Sequence, residues 1–336
     1  LPITPKTRGE SPPDILRNIG LVMGEAAGKV SAIGSDWGTS IARVWALDPA
    51  GKVVKSWVTS EPIVLGEFKP GDYAKVFDGL AAEWGNGSET PVLICGMAGS
   101  AQGWQEAPYV NTPATLSNLW EHVVQVTGTS RDVRILPGLA QRRDEAPDVI
   151  RGEETLLLGA TMAGHGDGLF CLPGTHSKWV TMQAGRVEQF ETVMTGEIFA
   201  LLSQQSTLSH YTSAPGGRNG IADNPAFETA VKEAAANPAE ILSQLFSVRA
   251  GPLLGQLAPI DAAARLSGLL IGSELAAVKA VSVDSVSLIS TGNLADAYRK
   301  ALSVLGIGSS DLDSETLAKA GLAAVARTLW PDRFAQ

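Results

Sequence analysis

The feature that most constrains the fold is a unit that occurs twice. The segments "VSAIGSDW", "SIARVWAL" and "KVVKSWVT" read as three strands, with the small-residue turn Asp36–Ser40 after the first and "DPAG" before the third. The segments "GLFCLPG", "SKWVTMQ" and "RVEQFETVM" repeat that order, with "PGTH" as the first turn and Ala184–Gly185 as the second. Gly38 and Gly51 stand 13 residues apart, and Gly174 and Gly185 stand 11 apart. A helix-patterned stretch follows each unit. The first, Tyr73–Trp84, places Val76, Phe77, Leu80, Ala81 and Trp84 on one face. Strands alternating with helices predict an α/β fold, and the repetition predicts an internal duplication.

The remaining chain fits that frame. "PVLICG" and "VRILPG" read as buried strands, Ser117–Val126 as a helix, and "GEETLLLGATMAG" as a helix. After the second unit the sequence turns mostly helical. Helices are expected from Asn224–Pro225 and over Pro238–Arg249, Pro259–Ala280, Leu294–Leu305 and Ser314–Leu329, with the strand "SVSLIS" among them. Residues 1–25 carry Pro2, Pro5, Pro12 and Pro13 without an apolar run, and read as a loosely packed tail rather than a secretory peptide. The glycine cluster "AGHGDG" at Gly164–Gly168 predicts a hinge, dividing the chain into 26–165 and 166–336.

Composition removes several classes of function. With 336 residues, 44% of them hydrophobic, the chain can bury the cores of about two domains. A net charge of −9 argues against broad phosphate-backbone contact, so no nucleic-acid partner is expected. No apolar run reaches spanning length, so no membrane partner is expected and the default location is the cytoplasm. Cys95 and Cys171 sit inside apolar runs and read as buried thiols, not a disulfide. His122, His165 and His210 lie in unrelated contexts that suggest no metal site. The oligomeric state stays open, a homodimer being one option.

The two turns suggest a ligand. A polyphosphate needs donors at close range, and glycine lets backbone N–H groups approach it without a Cβ in the way. Hydroxyls add charge-assisted bonds, each about 1.5–3 kcal/mol. Asp36, Gly38, Thr39 and Ser40 meet those needs in the first turn; Gly174, Thr175 and His176 meet them in the second. An acid at a strand end, Asp36, can hold Mg²⁺ through water. Strand alternation puts His176 and Lys178 on one face and Ser177 and Trp179 on the other, so Lys178 is available to a phosphate as a point charge. Either turn alone is an ordinary strand-end turn. Together, at matching places in both units, they suit one polyphosphate gripped from two sides.

The turns "SDWGTSIARVW" and "PGTHSKWV" resemble the two phosphate motifs of the sugar kinase, Hsp70 and actin superfamily. More closely, "DWGTS", "GMAGSAQGW", "PYV", "ILPGL", "RGEETLLLGA", "LPGTHSKWV", "TVMTGE" and "SGLLIGSE", in that order, resemble the 2-dehydro-3-deoxygalactonokinase family from about residue 34 to 275. The resemblance implies two ribonuclease-H-like (actin-like ATPase) domains around a nucleotide cleft. It also implies ATP and Mg²⁺ as cofactors and transfer of phosphate to the 6-hydroxyl of 2-dehydro-3-deoxy-D-galactonate. Kinases of other sugars or polyols on the same scaffold, and a nucleotide-driven switch ATPase, are the alternatives.

The resemblance also assigns residues. The acid after Gly152 matches the carboxylate base of related carbohydrate kinases, which makes Glu153 the expected base, with Glu154 beside it as the competing choice. The loop Gly96–Trp104 matches the sugar-binding loop, giving Ser100 and Gln102 for hydroxyls and Trp104 for an apolar sugar face. Arg43 and Arg151 are both candidates for the substrate carboxylate. Gly292, in "ISTGNLADAY", resembles the adenosine motif. The helix glycines Gly268 and Gly272 read as packing positions.

Overall fold

A computed structural model describes residues 29–39, 41–59, 68–84, 87, 89–213, 220–278 and 280–334. The expected tail, residues 1–25, and Ser40 lie outside them. The chain forms two compact units. One contains the sequence up to Val110, Ser117–Gly138 and Ala318 onward; the other contains Asn111–Leu116 and Leu139–Leu317. The helix Glu153–Met162, read from sequence with the N-terminal half, therefore groups with the second unit, and most of the helix Ser314–Leu329 groups with the first.

In the first unit the strand Ala32–Trp37 pairs antiparallel with Ala42–Leu47, which pairs antiparallel with Val53–Val58. On its other side Ala32–Trp37 pairs parallel with the fourth strand, Val92–Gly96, which pairs parallel with the fifth, Val133–Ile135. The helix Pro70–Glu83 carries the chain from the third strand to the fourth. It buries the face predicted for it: Val76, Phe77, Leu80 and Ala81 join Ile33, Val44 and Ile94 in one core. Pro70 at its first turn needs no N–H donor there, and the Asp72 carboxylate accepts from the Lys69 N–H at 3.1 Å.

The second unit repeats this sheet strand for strand. Gly168–Leu172, Ser177–Gln183 and Arg186–Val193 form the antiparallel set; Ser285–Ile289 and Gly308–Leu312 add in parallel beside the first of them. Both sheets thus run third, second, first, fourth, fifth, as the duplication predicted. The units differ in what lies between the third and fourth strands. The second unit inserts a run of helices from Thr195–Gln205 to Ala262–Ala277. The last of these is buried along most of its length, with Gly268 and Gly272 against the backbone of the helix Pro225–Ala236, which is the packing role read for them.

One expectation fails locally, and one strand carried no sequence signal. Ser117–Val126 is not an α-helix: Leu116–His122 is a 3-10 turn, and Val124–Gln125 is a strand antiparallel to Val133–Ile135. The Val123–Val124 pair is β-branched and finds a sheet edge within reach, which overrides the apolar spacing. The fifth strand of the second unit, "GSSDL", carried no alternation because it is an exposed edge. Cys95 and Cys171 are buried free thiols. Among the described residues no helix is long and apolar enough to cross a membrane.

Candidate active site

The first turn closes the hairpin between the strands Ala32–Trp37 and Ala42–Leu47. Asp36 lies directly across the hairpin from Arg43, and the Arg43 guanidinium stands 3.5 Å from its carboxylate. On the other side, Cys95 of the fourth strand donates its thiol to Asp36 Oδ1 at 3.9 Å. The Gly38 N–H donates to the Ile41 carbonyl at 2.9 Å, and a Cβ on Gly38 would come within 2.9 Å of that same oxygen. Only glycine makes this turn without moving the backbone. Thr39 is exposed, and Asp36 is partly exposed. The guanidinium that sequence offered to a substrate carboxylate is here the countercharge of Asp36.

The loop after the fourth strand separates its three candidates. Trp104 is buried, stacked at 5.4 Å on Tyr73 and at 6.0 Å on Phe77. Its ring serves the core rather than standing open to a sugar. Gln102 is exposed. Ser100 is buried, and its hydroxyl has no hydrogen-bond partner among the described residues.

The second turn, 173–176, is braced from outside. The helix Thr195–Gln205 begins against it: the Glu197 N–H donates to the Thr175 carbonyl at 2.8 Å, and a Cβ on Gly196 would collide with the Gly174 carbonyl. Glu197 also meets the exposed His176 ring at 2.6 Å. Thr195, Gly196 and Glu197 lie in "TVMTGE", a stretch to which sequence reasoning assigned no role. The signal was present, since a glycine follows a strand there as it does in both turns.

Beyond the turn, strand alternation separates side chains as predicted. Lys178 points to one side, where its ammonium donates to the His176 carbonyl at 3.0 Å and stands 3.4 Å from Glu153 Oε1. The buried Lys178 thus neutralises a carboxylate, where sequence had offered it to a phosphate. Glu153 opens the helix Glu153–Met162, and its other oxygen accepts from the Arg151 N–H at 2.9 Å. Arg151 lies in the turn before that helix, beside the Glu153 carboxylate. Glu154 differs sharply from Glu153. It is fully buried, accepts from the Gly152 N–H at 2.7 Å and from Thr155 Oγ1 at 3.2 Å, and is pushed up to about 8 by burial and then by the charge of Glu153. Of the two adjacent acids, only Glu153 reaches solvent.

The second unit also holds a cavity of about 630 Å³, lined by Gly174, Thr195, Gly196, Ile271, Asn293 and Tyr298 among others. That volume suits a drug-sized or nucleotide-sized ligand. The helix Gly292–Val304 begins at its wall, so Gly292, predicted near adenosine, sits beside a cavity that Gly174 also borders.

Comparison with known proteins identifies the family of the chain. Residues 36–325 match the model of a family described as 2-keto-3-deoxy-galactonokinase. The chain is 44% identical over 308 residues to a probable 2-dehydro-3-deoxygalactonokinase of Rhizobium meliloti, covering 91% of this chain and 99% of that one. It is 34% identical to the 2-dehydro-3-deoxygalactonokinase of Escherichia coli, covering 88% and 98%. A crystal structure from Sinorhizobium meliloti, provisionally assigned the same activity, superposes with a TM-score of 0.81 at 42% identity over 89% of this chain and 99% of that one. The activator of 2-hydroxyisocaproyl-CoA dehydratase from Clostridium difficile, solved with ADPNP, shares the fold at a TM-score of 0.50 and 11% identity, over 90% and 96% of the two chains. The fold is therefore the duplicated α/β architecture expected from the sequence.

Proposed function

Because the chain belongs to the 2-keto-3-deoxy-galactonokinase family, we propose that it phosphorylates the 6-hydroxyl of 2-dehydro-3-deoxy-D-galactonate with ATP. The observation that carries this reading in the molecule itself lies in the second unit. Gly174, in the glycine turn, borders a nucleotide-sized cavity, and Lys178, four residues on, holds the solvent-reaching carboxylate Glu153. A phosphate ligand, a nucleotide ligand and a proton acceptor are thus served by one stretch of strand and turn.

Phosphoryl transfer asks mainly for position and charge neutralisation. In this reading Gly174 and Thr175 present backbone and hydroxyl donors to the phosphates, and adenosine occupies the cavity beside Gly292 and Tyr298. Gly38, Thr39 and Ser40 supply the matching donors of the first unit. The substrate hydroxyl attacks the terminal phosphorus while its proton passes to Glu153, and ADP leaves. Lys178, 3.4 Å from Glu153 Oε1, holds that carboxylate in place. Ser100 offers its hydroxyl to the sugar, with Gln102 beside it, and Arg151 offers its charge to the substrate carboxylate. A need for ATP supports a cytoplasmic location.

Asp36 fits Mg²⁺. It is a partly exposed carboxylate at a strand end, and among the described residues no group of three or more His, Cys, Asp or Glu side chains could form an all-protein cage. That donor set suits an ion held largely by water and phosphate oxygens, with one carboxylate as anchor. When bound, Mg²⁺ spreads the charge of the phosphates.

Coupled ADP release with the two epimeric 2-keto-3-deoxy acids, galactonate-derived and gluconate-derived, tests the reading. Fast turnover with the first and slow turnover with the second is expected. Equal ADP release with no acceptor present would instead describe a switch ATPase.

A further inference from the structure

Beneath the second turn lies a buried polar chain that the proposed chemistry does not use. Glu274, on the helix Ala262–Ala277, is only 2% exposed. Trp179 Nε1 donates to its Oε1 at 2.7 Å, and the Tyr298 hydroxyl donates to its Oε2 at 2.7 Å. The Thr195 side chain bonds to the same carboxylate. The Tyr298 hydroxyl lies 2.6 Å from Ser177 Oγ. The Ser177 side chain also bonds to the Glu274 carboxylate.

These partners sit at every support of the turn. Ser177 is the residue after His176, where the turn enters its second strand. Thr195 starts the helix whose Gly196 and Glu197 touch Gly174 and Thr175. Tyr298 comes from the helix that starts at Gly292, and with Thr195 it lines the cavity. A carboxylate in this position has been stripped of water, which raises its proton affinity; the converging donors oppose that cost. An apolar side chain of similar volume would fill the space without that cost, but it would give the three elements no common direction.

We propose that Glu274 is a positioning residue. Through Tyr298–Ser177 on one side and Thr195 on the other, it fixes the 173–176 turn against the wall of the cavity and so sets its grip on the nucleotide. This rests on the reading of that turn as phosphate-binding. Glu274 itself touches no substrate.

The test compares Glu274→Leu, Glu274→Gln and Tyr298→Phe with Gly196→Ala, which pushes directly on the Gly174 carbonyl. Each protein is measured for ADPNP affinity by calorimetry, for the KM of ATP and of the acceptor, and for thermal stability. Gly196→Ala is expected to weaken ADPNP binding. Glu274→Leu is expected to raise the KM for ATP about tenfold or more by misplacing the turn, with little change in the acceptor KM. Tyr298→Phe, which keeps the ring and removes the hydroxyl that bonds Glu274 and Ser177, is expected to move the same constant in the same direction. Glu274→Gln, whose amide accepts from Trp179 and donates to Tyr298, is expected to recover most of the loss. If Gly196→Ala binds ADPNP normally, the phosphate reading of the turn is wrong and the proposal falls with it. If Gly196→Ala loses binding while folded Glu274→Leu and Tyr298→Phe keep it, the proposal alone is overturned. A loss in Glu274→Leu that raises the ATP and acceptor KM by one common factor also overturns it, because that pattern marks general loosening.

Discussion

The two hairpin turns come from the same kind of sheet at the same place, yet they are held differently. The turn at Asp36–Ile41 is held within its own sheet: its hydrogen bond closes between Gly38 and Ile41, its acid is paired across the hairpin with Arg43, and Cys95 of the neighbouring strand donates to that acid. The turn at 173–176 is held by others. A helix N-terminus abuts it, Lys178 ties its strand to Glu153, and Glu274 anchors Ser177 through Tyr298. The difference follows from what each unit inserts after its third strand. Among the described residues the first returns through one helix, Pro70–Glu83, and the second through a run of helices that supplies Thr195, Gly196 and Glu274. Duplication copies a sheet readily because strand order needs only short-range pattern. Inserted elements then decide which copy becomes rigid.

The largest expected effect falls on the carboxylate beside the braced turn. Glu153→Gln should lower kcat by about 10²–10⁴-fold and leave the KM for ATP near its normal value. Coupled ADP release checks this, and activity within about tenfold of the wild type would remove Glu153 from the role of base. The next effect separates the two turns directly. Gly196→Ala should cost more nucleotide affinity than a Thr39→Ala change in the first turn, since the first moves backbone and the second removes one exposed hydroxyl. Equal losses in calorimetry would erase the contrast between the turns. A smaller effect is expected from Asp36→Asn, which should raise the Mg²⁺ concentration needed for half-maximal rate; an unchanged metal titration counts against Asp36 as the anchor.

The smallest effect concerns stability. Glu154 titrates near 8 when folded, against 4.5 for an ordinary glutamate. The folded state therefore holds this proton more tightly than the unfolded state. Stability from this group is fully present below about pH 4.5 and is lost as the pH rises toward about 8. Glu154→Gln should flatten the melting temperature over that window. A wild-type melting curve that does not fall there would mean that Glu154 is solvated.

Much of this architecture is legible in the residues alone. The duplicated sheet, the burial of Val76, Phe77 and Leu80, and the alternation that parts Lys178 from Ser177 all follow from local periodicity. Trp104 is harder, because a tryptophan in a loop reads alike whether it faces a ligand or stacks on Tyr73 and Phe77. Glu153 and Glu154 are equivalent as letters, and burial alone tells them apart. Arg43 looks free until the hairpin register puts it opposite Asp36.

By itself the sequence determined the α/β class, the doubled hairpin and the positions of both glycine turns, because each depends on residues within a few places of one another. Only the tertiary structure decided that Gly196 braces Gly174, that Lys178 meets Glu153, and that Glu274 joins Thr195, Trp179 and Tyr298. Those partners stand from about 20 to about 100 residues apart, and close packing brings them together. No local pattern encodes which buried carboxylate will find which hydroxyl.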